Sequence, residues 1–401
     1  MAAQVDHLLT QVVLTCHPLT QVVLTSHPLT QVVLTRFSMR ILVGMPEQGS
    51  QGGPAACEPP FIDELRRLGH EVEEEIYAYA QTRSSPLTRV ARVRQTARRL
   101  RERVCSEKFD LVHINTSFDT KALLRDAVVV SCLPKTGPKI FLKFHGSDAE
   151  LLKTNNPLLR SLGRYLLGRS DGIGVLSSEE RANFLAAGVP EQKVFVVKNV
   201  VASRAPTPRP DFRAKLNLPE QIPLLLFIGR FIEAKGLQDV VQAGKLLRDR
   251  DQEFILLCVG DGPDRARVEH EVKLLGLGSQ VRFFGYVTEE EAAEFYANST
   301  MLVFPTYHYE GFPMVIFNAA AAGLPIITTR IRAAADYLTE PQNCLWVEPR
   351  SPEQLAAAIA TLIAPSAEHQ QMSANNRLLA ARFSAEIVTR EYLEGYNRVS
   401  S

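Results

Sequence analysis

The chain is short of several things, and each shortage narrows what it can be. Neither charge is in surplus: 45 Lys and Arg stand against 44 Asp and Glu, for a formal net charge of +1. A near-neutral surface argues against nucleic acid as the main partner. No apolar run approaches the ~18 residues that span a bilayer, so the chain reads as soluble and cytoplasmic, at most peripheral to the inner face of a membrane. The six cysteines, Cys16, Cys57, Cys105, Cys132, Cys258 and Cys344, are scattered, with no C-x-x-C pair. This argues against a disulfide frame or a zinc site and for reduced thiols. The glycine turn after the first strand lacks the G-x-G-x-x-G fingerprint, which argues against a dinucleotide-binding dehydrogenase. What remains, at 401 residues and 45% apolar content, is an ordinary globular protein of about two domains.

The first residues are repetitive. LTQVVLT recurs at Leu9–Thr15, Leu19–Thr25 and Leu29–Thr35, with His7, His17 and His27 in register. Three such short copies cannot build a solenoid core, and they lack the basic start and continuous apolar region of a signal peptide. Residues 1–38 therefore read as a tail outside the fold, a translated DNA repeat ahead of a start at Met39. Identical copies force identical spacing, so the aligned histidines are no metal signal. The Val, Thr and Leu content makes the tail β-prone.

From Met39 onward short apolar strands alternate with helices, the pattern of α/β folds. In a first domain, 39–201, the predicted strands are Arg40–Gly44, His70–Ile76, Asp110–Asn115, Lys139–Phe144, Gly172–Leu176 and Lys193–Lys198. A glycine-rich turn, Gly49–Pro54, precedes a helix expected at Pro60–Leu68, and Gly52 and Gly53 would let the backbone approach another molecule closely. His145 directly follows a strand, where open α/β sheets face their ligand crevice. Residues 202–213, opening on the proline-rich ASRAPTPRP, read as a linker. A second domain, 214–382, carries strands Leu224–Ile228, Phe254–Val259, Val281–Phe284, Met301–Phe304 and Leu324–Thr328, and residues 383–401 hold a last helix near Ala385–Arg398.

Charges at strand-to-helix turns carry the chemistry. Arg230 and Lys235, in GRFIEAKG, suit a diphosphate: arginine offers a planar fork and lysine a mobile point charge. Glu310 projects from the turn EGFP, ahead of a helix predicted to start at Pro313 and stop at Gly323, whose free N–H groups favour an anion. The expected ligand thus bears both phosphate and hydroxyl groups. Arg89 to Arg103 include seven arginines on one helix, read either as a solvated face or as a binding surface for an anionic membrane. Asp249 and Asp251 form a D-x-D, but at a helix end, where they read as solvated charge.

These segments resemble retaining glycosyltransferases of family 4, with the GT-B architecture of two Rossmann-like domains facing across a cleft. The resemblance runs from Met39 onward through Gly52 and Gly53, HGSD with His145, GRFIEAKG, VGDGP, FFGYV and EGFP. It implies transfer of a sugar from a nucleotide-diphosphate sugar to a saccharide or lipid-linked acceptor, in polysaccharide or glycolipid synthesis. It further implies a donor site mainly in the second domain, an acceptor site in the first, and a last helix returning to the first. His145, Arg230, Lys235 and Glu310 would be catalytic, with Gly52, Gly53, Gly229, Gly262, Gly311, Phe312, Pro313, Met314 and Asn318 binding the donor. No cofactor or metal is needed if two cations and backbone dipoles stabilise the leaving diphosphate. One departure stands out: Asn318 occupies the place of the family's second glutamate, a ribose contact, and Asp336 stands for another glutamate. Asn318 keeps open a non-catalytic or impaired nucleotide-sugar-binding relative; a nucleotide-sugar epimerase of the same architecture is a further alternative.

Overall fold

The computed structural model describes residues 38–47, 53–78, 85–201, 207–364 and 366–400. The repeats, Gly52 and residues 202–206 of the expected linker lie outside that set.

Twelve strands form two separate parallel sheets. The first contains β1 (Arg40–Pro46), β2 (Glu71–Ala78), β3 (Leu111–Phe118), β4 (Lys139–Ser147), β5 (Gly172–Val175) and β6 (Val194–Val196), in the order β2-β1-β3-β4-β5-β6. The second contains β7 (Leu224–Ile228), β8 (Ile255–Val259), β9 (Val281–Gly285), β10 (Met301–Phe304), β11 (Ile326–Thr328) and β12 (Cys344–Trp346), in the order β12-β11-β10-β7-β8-β9. Parallel strands joined by helical crossovers are covered on both faces, so they read as continuous apolar runs; LLLFI and ILLCV of β7 and β8 are buried throughout. In each sheet the strand order reverses beside the first strand, and there the carboxyl edge opens a crevice. The α/β reading with two Rossmann-like units is what the structure contains.

Element ends moved for identifiable reasons. The first helix begins at Gly53 rather than Pro60 and carries Pro59 and Pro60 inside it. Cys57, Phe61 and Leu65, at helical spacing, are all buried, and that apolar face outweighs the propensity cost of the prolines. Strand β4 continues past Phe144 to Ser147, so His145 sits in its last residues. Pro313 caps its helix with extended backbone (φ −72°, ψ 92°) instead of starting it; the helix is Met314–Ala322 and stops, as expected, at Gly323 in the left-handed region. A short helix, Phe212–Lys215, starts within the expected linker, with Phe212 packed on Phe295.

The helix Ala385–Ser400 lies on the first sheet and its first helix, where Tyr392 and Tyr396 pack on Phe61 and Phe141. The arginine-rich helix Pro86–Ser106 engages several of its charges within the unit: Arg99 pairs with Glu75 and Arg103 with Glu73 on β2, Arg98 pairs with Glu102 on the helix's own exposed face, and Arg101 donates to the Cys132 carbonyl. This supports an internally neutralised helix over a free anion-binding face. No helix among the described residues is long and apolar enough to cross a membrane.

Candidate active site

The second unit supplies a cationic turn with one carboxylate. After β7 the chain passes Arg230, which is exposed, and folds into a single turn, Glu233–Lys235, that buries Lys235 to 5% exposure. The Lys235 ammonium meets the Glu310 carboxylate and sits 5.3 Å from the centre of the Phe304 ring. Burial lowers the proton affinity of Lys235, Glu310 opposes that, and Arg230 adds to it. Gly229 stands beside this turn with its N–H on the Val259 carbonyl. Gly262 has a packing reason: a Cβ there would lie 2.3 Å from the Phe231 carbonyl oxygen, so only glycine lets the two loops touch.

Glu310 is followed by a turn anchored by aromatic stacking. Phe312 stacks on Phe317 at 3.9 Å, and both pack on Phe383. This holds the N-terminus of Met314–Ala322 beside Glu310 and Lys235. Asn318, half-buried on that helix, lies beside the buried Tyr296 hydroxyl. Met314 reaches the first unit, its Sδ lying 3.7 Å from Asn199 Nδ2.

The first unit contributes a buried polar network. His145 Nε2 lies 2.8 Å from Asn115 Oδ1; the Asn115 amide donates to the Gly44 carbonyl at 3.2 Å and to Glu58 at 3.0 Å. Lys143 pairs with the other Glu58 oxygen, and His113 meets the Tyr396 hydroxyl. Burial opposes the Glu58 anion, but the Lys143 ammonium, foremost among its neighbours, outweighs it and holds the carboxyl at about 2. Burial, then Lys143, brings His145 down to about 3; burial brings His113 to about 4. Both rings are neutral at ordinary pH. Cys57, Glu58 and His145 bring three potential ligand atoms within 4.8 Å of one another. Here, however, Lys143 already supplies the cation on Glu58, and burial pushes the Cys57 thiol up. The chemistry is that of an internal ion pair.

The two halves touch. A Cβ on Gly146, next to His145, would stand 3.5 Å from the Tyr309 carbonyl oxygen, and one on Gly311 would be 2.9 Å from Glu180. Gly311 thus packs against Glu180 and Leu176 of the first unit with no room for a side chain. Beside it Arg332 crosses over, donating to the Ser147 carbonyl at 2.7 Å and to Glu180 at 3.1 Å. Asp336 accepts from Ser178 N–H at 2.7 Å. His145, Arg230, Lys235, Glu310 and Gly311 therefore belong to the facing edges of two sheets, whereas Gly53 opens the first helix of the first unit.

Sequence reading missed Glu58, Asn115, Lys143, Glu180 and Arg332 as members of this region. One signal was available: Lys143 interrupts the apolar run IFLKF, and a charge inside a buried strand requires a partner. Arg332 gave none.

Two family models match the chain, "Glycosyltransferase Family 4" over residues 58–203 and "Glycosyl transferases group 1" over residues 208–379. The 2-deoxystreptamine glucosyltransferase of Streptomyces kanamyceticus is 28% identical over 62% of this chain and 65% of its own length. The lipopolysaccharide core biosynthesis glycosyltransferase LpsD of Rhizobium meliloti is 31% identical over 52% of this chain and 58% of its own. The chain thus spans between half and two thirds of the length of these relatives. The solved structure of Anabaena Alr3699/HepE in complex with UDP and glucose superposes with a TM-score of 0.71 at 17% identity, covering 89% of this chain and 98% of that one. Two parallel six-stranded sheets set edge to edge in this way define the GT-B class. The chain belongs to the GT-B glycosyltransferases of family 4 type.

Proposed function

We propose that the chain moves a sugar from a nucleotide-diphosphate sugar to a saccharide or lipid-linked acceptor, with retention at the anomeric carbon, in the synthesis of cell-surface polysaccharide or glycolipid. The observation that carries this reading is the grouping of Arg230, buried Lys235 and the N-terminus of Met314–Ala322 around Glu310, on the sheet edge facing His145. As the donor bond breaks, negative charge grows on the leaving diphosphate. Arg230, Lys235 and the helix N–H groups stabilise that charge more than the ground state, which is what accelerates the step. Glu310 accepts hydrogen bonds from sugar hydroxyls, and His145 holds the sugar near the acceptor. Two cations and a helix terminus suffice for this without a metal. Retention rests on the family resemblance. LpsD acts in lipopolysaccharide core synthesis, and HepE was solved with UDP and glucose, so UDP-glucose is the first donor to try.

Asn318 favours a second reading, an impaired nucleotide-sugar-binding relative, because it stands beside buried Tyr296 and lacks the charge of the glutamate whose place it takes. Calorimetric titration with a panel of nucleoside diphosphates and their sugars, without metal, separates the two. Selective binding weakened by Arg230→Ala, followed by transfer to an acceptor and assignment of the product anomer by NMR, supports the transferase. No binding across the panel supports the impaired relative.

A further inference from the structure

The polar network behind His145 has a directional logic. Lys143 holds Glu58 as a carboxylate, which can only accept hydrogen bonds. Both Asn115 amide hydrogens are then taken, one by Glu58 at 3.0 Å and one by the Gly44 carbonyl at 3.2 Å. With its NH2 group committed, Asn115 must turn its oxygen toward His145 Nε2, 2.8 Å away. An oxygen acceptor at that distance requires Nε2 to carry the proton. The other ring nitrogen, Nδ1, is buried and has no partner among the described residues. The second histidine fits the same pattern: Tyr396 O–H meets His113 Nδ1, and His113 Nε2 faces the same Asn115 oxygen at 3.4 Å.

We propose that Asn115 is a positioning residue that fixes His145 as the Nε2–H tautomer and presents bare Nδ1 as a hydrogen-bond acceptor. Nδ1 is closed to solvent in this conformation, so a ligand meets it only after local opening, and the group met there is then a donor, a hydroxyl of the sugar or acceptor, and not an unprotonated phosphate oxygen. This rests on the transferase reading for its ligand but not for its tautomer. The titratable groups around the ring, Glu58, Lys143, His113 and Cys57, agree with it: burial and Lys143 together keep the imidazole neutral well below neutral pH.

The test begins on the full chain with no donor present, so that its outcome does not depend on the transferase reading. Long-range 1H–15N NMR of the histidine rings, with His145 assigned by its loss in His145→Ala, is expected to show Nε2 protonated and Nδ1 bare. Asn115→Ala is expected to shift the ring toward a mixture of tautomers. An Nδ1–H ring or an imidazolium in the unmodified protein overturns the proposal, and so does an unchanged tautomer in folded Asn115→Ala. The wild-type spectrum decides the matter even if that variant fails to fold. With a donor in hand, Asn115→Ala is expected to lower kcat/KM about tenfold and leave the Kd of the sugar-free nucleoside diphosphate unchanged. The loss is expected to vanish in a His145→Ala background. Equal losses in both backgrounds mean a structural role and refute the assignment.

Discussion

Replacing Arg332 with alanine tests the contact between the two units. The guanidinium is 3% exposed and its partner Glu180 is fully buried. It also donates to the Ser147 carbonyl, and it holds a backbone φ of 36° that is unfavourable for a side chain bearing Cβ. Removing one member of a buried ion pair costs ~3–5 kcal/mol. Part of that is recovered here. Burial already raises the proton affinity of Glu180, so the orphaned carboxyl can take up a proton, and it keeps the Ser147 and Ser177 hydroxyls and the Leu176 N–H. A net cost of roughly 2–3 kcal/mol remains, about 30- to 150-fold in an equilibrium. Because the pair joins a helix of each unit, the cost falls on the apposition of the units and not on either core. Small-angle scattering of the full chain is therefore expected to show a larger radius of gyration in Arg332→Ala, with a small change in melting temperature. Arg332→Lys, which keeps charge but not the fork, is expected to lie between. A scattering curve that superposes on the wild type refutes the reasoning.

Other outcomes follow from the site. Lys235→Ala removes a charge-assisted contact worth roughly 1.5–3 kcal/mol and is expected to weaken nucleoside-diphosphate binding about ten- to a hundredfold by calorimetry; unchanged affinity would exclude Lys235 from the diphosphate site. Arg230→Ala is expected to weaken binding too, and the contact it removes should be the more salt-sensitive because Arg230 is exposed. Asn318→Glu is expected to tighten nucleotide binding if the asparagine impairs a ribose contact, and to change little if Asn318 serves Tyr296 alone. Acid is expected to destabilise the protein. His113 and His145 are held near 4 and 3, so below 6.5 the unfolded chain binds more protons than the native one, and stability falls as pH drops. The Glu58 contribution, present above its unfolded value, is lost as pH falls toward 2. Denaturant titrations at pH 7.5 and 5 should differ by roughly 2 kcal/mol per histidine; equal stability would mean that the rings are not buried neutral.

How much of this could be read beforehand depends on how local the cause was. Most strands were legible because burial on both faces demands unbroken apolar runs such as LLLFI, but Cys344–Trp346, three residues long at the edge of the second sheet, was missed because so short a run carries no pattern. Lys235 and Glu310 were legible as neighbours of one sheet edge because each follows a strand at its carboxyl end. The start of the first helix was not, since Pro59 and Pro60 imitate a boundary that Cys57, Phe61 and Leu65 override by packing. The polar network was out of reach for a different reason. Glu58 and Lys143 are 85 positions apart and Arg332 and Glu180 are 152 apart, and nothing in a local pattern says which distant charges will meet. Asn115 looked like the polar end of a strand until Glu58 arrived beside it.

The docking of Ala385–Ser400 on the first sheet bears on how the protein is made. Tyr396 reaches His113 across 283 positions of chain. A ribosome adding ~5–20 residues per second needs roughly 15–60 s to cover that distance. Throughout that interval the nascent first unit holds Phe61, Phe141 and His113 without the tyrosines that cover them, while the whole second sheet is being synthesised. Domain-by-domain folding from the N-terminus is therefore closed to this chain at its final step. The earlier unit waits for the later one, and an uncovered aromatic face is what a chaperone would meet in the meantime.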